Sequence, residues 1–191
     1  MLIAVLGAGM ASRFGADKLT VDCAGKPLGQ WAMEAALGLG YPMLWVGRGN
    51  RPTFLASRCA FHSHANPAAG LSSSLAIAAR VAKTAGARSL LVTLADMPLM
   101  TVPILEAVVR AGPFAACAHG DRPGVPALLP AEMYDDIMML RGDWGAGQLL
   151  RGAAGIEIVR VDSESLLDVD TPDDILKAEA ALNGGMMALP H

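Results

Sequence analysis

The sequence predicts an α/β fold: three layers, with a doubly wound, mostly parallel sheet between two sets of helices. Three observations predict it. The chain has 191 residues, 53% of them hydrophobic and only 5% aromatic, which is typical of a compact α/β protein. Its strand-like runs are apolar on both faces, as in parallel sheets covered on both sides. Those runs alternate with longer Ala- and Leu-rich stretches of helical character.

Residues 2–6 form the first strand. Residues 28–39 form a helix that Gly40 and Pro42 stop. Residues 43–46 form a second strand, and 60–64 a third, weaker one. A helix over 71–85 precedes a continuous apolar strand over 89–95, SLLVTLA. Residues 102–110 are helical, 114–118 and 125–129 are strands, and a helix starts at Ala131. Residues 146–151 make a short helix, 156–161 an alternating strand, and 172–182 the last helix. No fixed-period repeat, charge run or linker divides the chain. The expectation is one domain over 1–183, followed by a flexible tail over 184–191.

Net charge is −3 with no basic block, which argues against nucleic acid as the main partner. The start, MLIAVLGAG, lacks a basic n-region, and its apolar run is too short to span a bilayer. Neither secretion nor membrane anchoring is expected. Cys23, Cys59 and Cys117 are isolated, odd in number and form no C-x-x-C. They read as reduced thiols of a cytoplasmic protein, not as a disulfide framework or zinc knuckle. The eleven methionines are scattered and read as core filling. No Gly-x-Ser-x-Gly is present to support a serine hydrolase.

The stretch LGAGMASRFGADK, residues 6–18, follows the first strand directly. Glycine there lets backbone N–H groups approach an anion. The dinucleotide pattern G-x-G-x-x-G fails at Ser12, and no acid follows the second strand, which ends Val46-Gly47-Arg48. Arg48 would suit a 2′-phosphate, so an NADP-dependent reductase stays open at this point. The pattern G-x-x-x-x-G-K-[ST] fails because Ala16 follows Gly15. Arg13 and Lys18 shift the balance towards a triphosphate, an arginine fork and a lysine point charge both matching phosphate oxygens. Plain turn geometry and solvated surface cations remain the simpler reading of the same residues.

Two acidic elements follow. The strand over 89–95 delivers Asp96 at its carboxyl end, before Met97 and Pro98. Such an acid is either a Mg²⁺ ligand or a cap for the next turn. In LLDVDTPDD, Asp168 and Asp170 are two apart and point the same way in an extended segment. Thr171 caps a helix with Pro172 at its first position, which accounts for Asp173 and Asp174. Gly70 and the run Ser72, Ser73 and Ser74 open another helix; three hydroxyls exceed what capping needs and are available to a base or ribose. His62 and His64 form an H-x-H without a third ligand and read as surface histidines. His119 beside Cys117 carries no signal.

These residues together resemble the signature of nucleotidyltransferases that read L-A-A-G-x-S-x-R-M-G-x-x-K. More narrowly they resemble molybdenum cofactor cytidylyltransferase and its guanylyltransferase relative. The match holds at Leu6, Ala8, Gly9, Arg13, Gly15 and Lys18, and departs at Gly7, Ala11 and Phe14. The resemblance spans nearly the whole chain, in four ordered elements. It implies a Rossmann-like nucleotidyltransferase fold. It further implies Mg²⁺ (or Mn²⁺) held by Asp96 and Asp170, with Asp168 a weaker ligand. Leu6, Ala8, Gly9, Arg13, Lys18, Gly70, Ser72, Ser73 and Ser74 would bind the nucleotide, with Arg13, Lys18 and Asp96 catalytic. Gly124, Pro126 and Asp143 would border the second substrate. G-L-S-S-S-L and Ala8 favour CTP over GTP. The implied activity transfers a nucleoside monophosphate to a molybdopterin-type phosphate acceptor and releases pyrophosphate. A molybdoenzyme or its chaperone is the implied protein partner. A guanylyltransferase, a sugar- or polyol-phosphate nucleotidyltransferase and an inactive pterin-binding module are the alternatives.

Overall fold

A computed structural model describes residues 1–8, 18–65, 70–140, 146–151 and 153–187. The elements in chain order are β1 (Leu2–Leu6), β2 (Asp22–Cys23), β3 (Lys26–Pro27), α1 (Leu28–Gly38), β4 (Met43–Gly47) and β5 (Ala60–Ser63). They continue with α2 (Leu71–Thr84), β6 (Ser89–Leu94), α3 (Val102–Ala111), β7 (Ala115–His119), β8 (Arg122–Pro130) and α4 (Tyr134–Met139). The last are α5 (Ala146–Arg151), β9 (Glu157–Val159) and α6 (Pro172–Met187).

Seven strands form one sheet in the order β5-β4-β1-β6-β8-β7-β9, and β2 pairs with β3 in a separate hairpin. The strands β5, β4, β1 and β6 run parallel. Strand β8 runs antiparallel to both of its neighbours, and β7 and β9 are parallel to each other. The chain winds outward from β1 in both directions, to β4 and β5 on one side and to β6 on the other. The carboxyl ends of β1, β4 and β6 therefore meet at the switch point, where an open α/β sheet has its crevice.

Alternation within each strand builds two cores. From β1, Ile3 and Val5 enter one core with Trp45, Leu91, Leu28 of α1, Leu105 of α3 and Ala178 of α6. Leu2, Ala4 and Leu6 enter the other with Val46, Leu90, Leu75 of α2, Ile137 of α4 and Leu150 of α5. Both faces of β1 are buried, which is why its sequence reads as a continuous apolar run and not as an alternation. Among the described residues, no helix is long and apolar enough to cross a membrane.

The structure departs from the sequence reading in four places. The strand over 125–129 begins at Arg122 and pairs back onto β7 through the turn at Gly120 (φ 62°). The pairing of β7 with β8, which carries Pro123, Pro126 and Pro130, shifts register between Ala116 and Cys117. The β2–β3 hairpin is too short to leave a periodicity; its turn rests on Ala24 (φ 53°) and Gly25 (φ 86°). The helix expected from Ala131 begins as a 3-10 turn and becomes α4 at Tyr134. Helix α6 continues through Gly184 to Met187, into the stretch expected to be a flexible tail. Burial of all three cysteines fits the reading of isolated thiols, and it pushes Cys23 and Cys117 up to about 11.

Gly7, just beyond β1, donates its N–H to the Val46 carbonyl at 2.8 Å. A Cβ there would lie 2.9 Å from Leu19 Cδ1 and 3.1 Å from both Ala95 Cβ and Trp45 Cζ2. The fully buried Trp45, packed edge-on against Phe54, takes up the space. This is a packing reason for glycine where the resembled signature has alanine. Gly7→Ala is expected to cost about 1–3 kcal/mol through overpacking, read as a lower urea midpoint at an unchanged slope.

Candidate functional site

A cavity of about 230 Å³ opens at the carboxyl ends of β1, β4 and β6. Leu6 and Gly7, Arg48, and Ala95 with Asp96 come from those three strand ends; Lys18, Leu71, Asp168 and Asp170 complete the wall. Each acid has a local cause for its place. Ala95 donates its N–H to the Leu6 carbonyl, and Ala95 and Met97 are buried on either side, so Asp96 turns out of the core at the strand end. The Val169 N–H binds the Asp96 carbonyl at 3.0 Å, and the Val169 side chain is wholly buried. Its neighbours Asp168 and Asp170 are thereby both left on the cavity side, as a two-residue spacing in extended chain requires.

Helix α6 anchors this segment. The Thr171 N–H donates to Asp174 Oδ2 at 3.0 Å, and the Asp174 N–H donates to Thr171 Oγ1 at 3.3 Å. The reciprocal pair is a capping box, worth about 1 kcal/mol in typical cases. Hydrogen bonds from Lys177 and Thr171 hold the Asp174 carboxyl well below the usual carboxylate range. Asp174 is therefore a structural residue, in line with its reading from sequence.

Lys18 sits in the 3-10 turn Lys18–Thr20 and is buried. Its Nζ donates to the Val169 carbonyl at 2.7 Å, and lies 2.7 Å from Asp96 Oδ2 and 3.1 Å from Asp170 Oδ1. Burial alone would lower its pKa. The charge and hydrogen bond of Asp96, then those of Asp170, outweigh burial and raise it, so the ammonium stays charged. Asp168 is exposed at the cavity mouth, yet protein packs around its carboxylate. That desolvation, then the Asp96 charge, pushes its pKa up to about 6, while His119 and Lys18 oppose the rise.

Asp96 Oδ1 is buried and, among the described residues, has no hydrogen-bond partner. An orphaned carboxylate oxygen beside a second acid fits a hard divalent cation better than it fits a donor already spent elsewhere. Among the described residues no set of three or more His, Cys, Asp or Glu side chains is arranged to hold a metal by itself. One or two carboxylates completed by substrate phosphates and waters is the usual provision for Mg²⁺.

The structure thus brings Leu6, Lys18, Asp96, Asp168 and Asp170 to one cavity. Ala8 is buried just beyond β1. Gly9, Arg13, Gly15 and Asp143 lie outside the described residues, so their expected roles remain expectations. Gly70 and the three serines open α2, but the hydroxyls are not presented as a row. Ser72 and Ser74 are buried, and Ser73 Oγ donates to the Gly70 carbonyl at 2.6 Å. His64, expected on the surface, is buried and lies 2.7 Å from Ser73 Oγ through Nε2, whereas His62 is exposed. Burial, then the charge of His62, lowers the His64 pKa and keeps the ring neutral. Gly124 and Pro126 lie beyond the last β6–β8 pair, Val92 with Ala127, and so beside the carboxyl end of β6. A Cβ on Gly124 would strike the His119 ring, whose Nε2 donates to the Val125 carbonyl at 2.6 Å.

Arg48 was weighed from sequence only as a 2′-phosphate contact, yet it shares the cavity with Lys18 and the three acids. Its position immediately after β4, at the same sheet edge as Gly7 and Asp96, was the available signal.

The raised pKa of Asp168 carries a sign for stability. The folded chain holds that proton more tightly than the unfolded chain, whose value is near 3.8. Stability from this group is therefore full below about pH 4 and falls as pH rises through about 6. In metal-free buffer, Asp168→Asn should melt a few degrees higher than the wild type at pH 8, and the gap should close at pH 4; calorimetric scans at both values check this.

The model of the MobA-like NTP transferase domain matches residues 3–160. Purine catabolism protein PucB of Bacillus subtilis is 27% identical over 186 residues, covering 88% of this chain and 91% of PucB. Molybdopterin-guanine dinucleotide biosynthesis protein A from Archaeoglobus fulgidus superposes with a TM-score of 0.69 at 24% identity, over 96% of this chain and 100% of that one. Rv0371c of Mycobacterium tuberculosis in complex with manganese gives 0.74 at 20% identity, over 94% and 98%. With the matched region running from β1 to the residue after β9, the chain belongs to the MobA-like NTP transferase family.

Proposed function

We propose that this nucleotidyltransferase takes CTP and transfers CMP to a phosphorylated acceptor of the molybdopterin type, releasing pyrophosphate. The observation that carries the reading is the cavity at the switch point, where Lys18 bridges Asp96 and Asp170. The preference for CTP rests on the G-L-S-S-S-L run and Ala8; the acceptor rests on the resemblance of the whole chain.

An acceptor phosphate oxygen attacks the α-phosphorus, a P–O bond forms, and the bond to the β-phosphate breaks as pyrophosphate leaves. A phosphate nucleophile is already ionised at neutral pH, so no general base is required. Positioning and charge neutralisation then supply most of the rate. Lys18 and Arg48 line the cavity where a triphosphate would lie, and Arg13 is assigned to the triphosphate on the resemblance alone. The divalent ion that Asp96 and Asp170 would hold, Mg²⁺ or Mn²⁺, neutralises charge at the α-phosphate when bound. Gly124 and Pro126, beside the carboxyl end of β6 on the side away from β1, would border the acceptor, and Asp143 is assigned to the acceptor on the resemblance alone.

Pyrophosphate release with CTP, GTP and ATP in competition, in the presence of a molybdopterin-type acceptor, tests the reading directly. CTP turnover is expected; preferred turnover of GTP would make the chain a guanylyltransferase. Asp96→Ala should abolish release, because loss of a metal ligand removes several kcal/mol of transition-state stabilisation. Near-normal release would refute that role. Lys18→Ala should weaken CTP binding by about tenfold or more in calorimetry, since a buried ammonium would no longer meet the phosphates.

A further inference from the structure

We infer that His64 is a positioning residue for nucleotide recognition: through Ser73, its buried imidazole holds the turn that opens α2 against the cavity. This rests on the reading of that cavity as the nucleotide site.

His64 follows the edge strand β5 and is 7% exposed. Its backbone N–H donates to the Gly47 carbonyl at 2.7 Å, which ties it to the end of β4. Its ring Nε2 lies 2.7 Å from Ser73 Oγ, and Ser73 Oγ lies 2.6 Å from the Gly70 carbonyl. A hydroxyl has one proton. Ser73 spends it on Gly70, so His64 Nε2 carries its own hydrogen and donates to Ser73. The result is a directed chain from His64 to Ser73 to the carbonyl of Gly70.

Gly70 is where that chain acts. Its backbone is at φ 84°, a region that side chains with a Cβ avoid, and no side chain caps α2 there. Leu71, the next residue, lines the cavity, as does Arg48, the residue after Gly47. Residue 64 thus ties the end of β5 to the end of β4 through its backbone, and its imidazole adds the tie to the start of α2. An apolar side chain would fill the same space more cheaply, since a buried polar ring must be compensated by hydrogen bonds. The polar ring therefore serves placement of the turn and not filling.

The test uses the full chain with CTP and with GTP, each with Mn²⁺. His64→Val removes the donor, and His64→Gln restores an N–H near the Nε2 position. Losing the linkage is expected to raise the nucleotide Kd and KM about tenfold in His64→Val, while kcat stays within about twofold. His64→Gln should recover to within about threefold of wild type. Ser73→Ala should match His64→Val, and the double variant should be no worse than either, because both break one chain. If His64→Val lacks a cooperative melt, a raised Kd in His64→Asn, whose shorter amide falls short of Ser73, beside a normal Kd in His64→Gln carries the same support, and a normal Kd in both overturns the inference. An unchanged Kd in His64→Val, no recovery in His64→Gln, additive losses, or a loss confined to kcat would each overturn the inference. Wild type that binds neither nucleotide would overturn the nucleotide-site reading together with it.

Discussion

One ammonium group holds the site in register. Lys18 Nζ reaches the Val169 carbonyl, Asp96 and Asp170, and the second segment lies 151 residues further along the chain. Asp96 and Asp170 would repel each other across the cavity without a cation between them. The lysine links the end of the glycine-rich loop, the end of β6 and the approach to α6 in a single contact set. It also presents a positive charge where a triphosphate would arrive. The acids that fix the lysine are the same acids suited to a divalent cation, so the structural and chemical demands on this position coincide.

The sheet makes that meeting possible. Strand order reverses on either side of β1, and the crevice falls where β1, β4 and β6 end. Each strand contributes a different group there: Gly7 a close backbone, Arg48 a charge, Asp96 a carboxylate. The last acidic segment has no strand of its own. It is stitched to β6 by the Val169 N–H and to α6 by the capping box at Thr171 and Asp174. Both attachments are backbone-directed, so they place Asp168 and Asp170 without relying on long flexible side chains.

The serine run and the histidine beside it show how position changes a side chain's task. Ser72 and Ser74 turn into the protein, and Ser73 is engaged by Gly70 and His64. The run therefore offers its hydroxyls to the protein's own packing and to the turn at Gly70. The departure of Gly7 from the alanine of the resembled signature has a similar origin. Leu19, Ala95 and Trp45 close around Gly7 and occupy the volume that a methyl group would need.

The α/β class, most helices, and the strands β1, β4 and β6 were legible in the sequence, because continuous apolar runs and helical periodicity are local consequences of burial on both faces. The order of chemistry-bearing residues was legible too: a loop with Lys18, a strand-end Asp96, an extended pair at Asp168 and Asp170. Two-residue strands and the extension of the strand over 125–129 back to Arg122 were not, since their pairing comes from partners elsewhere in the chain and not from their own pattern. Only the tertiary structure decided that Lys18 stands between two acids, that Arg48 joins them and that His64 is buried against Ser73. Composition and spacing determine which face a residue presents; which distant groups share that face is settled by strand order and packing, and these are properties of the whole fold.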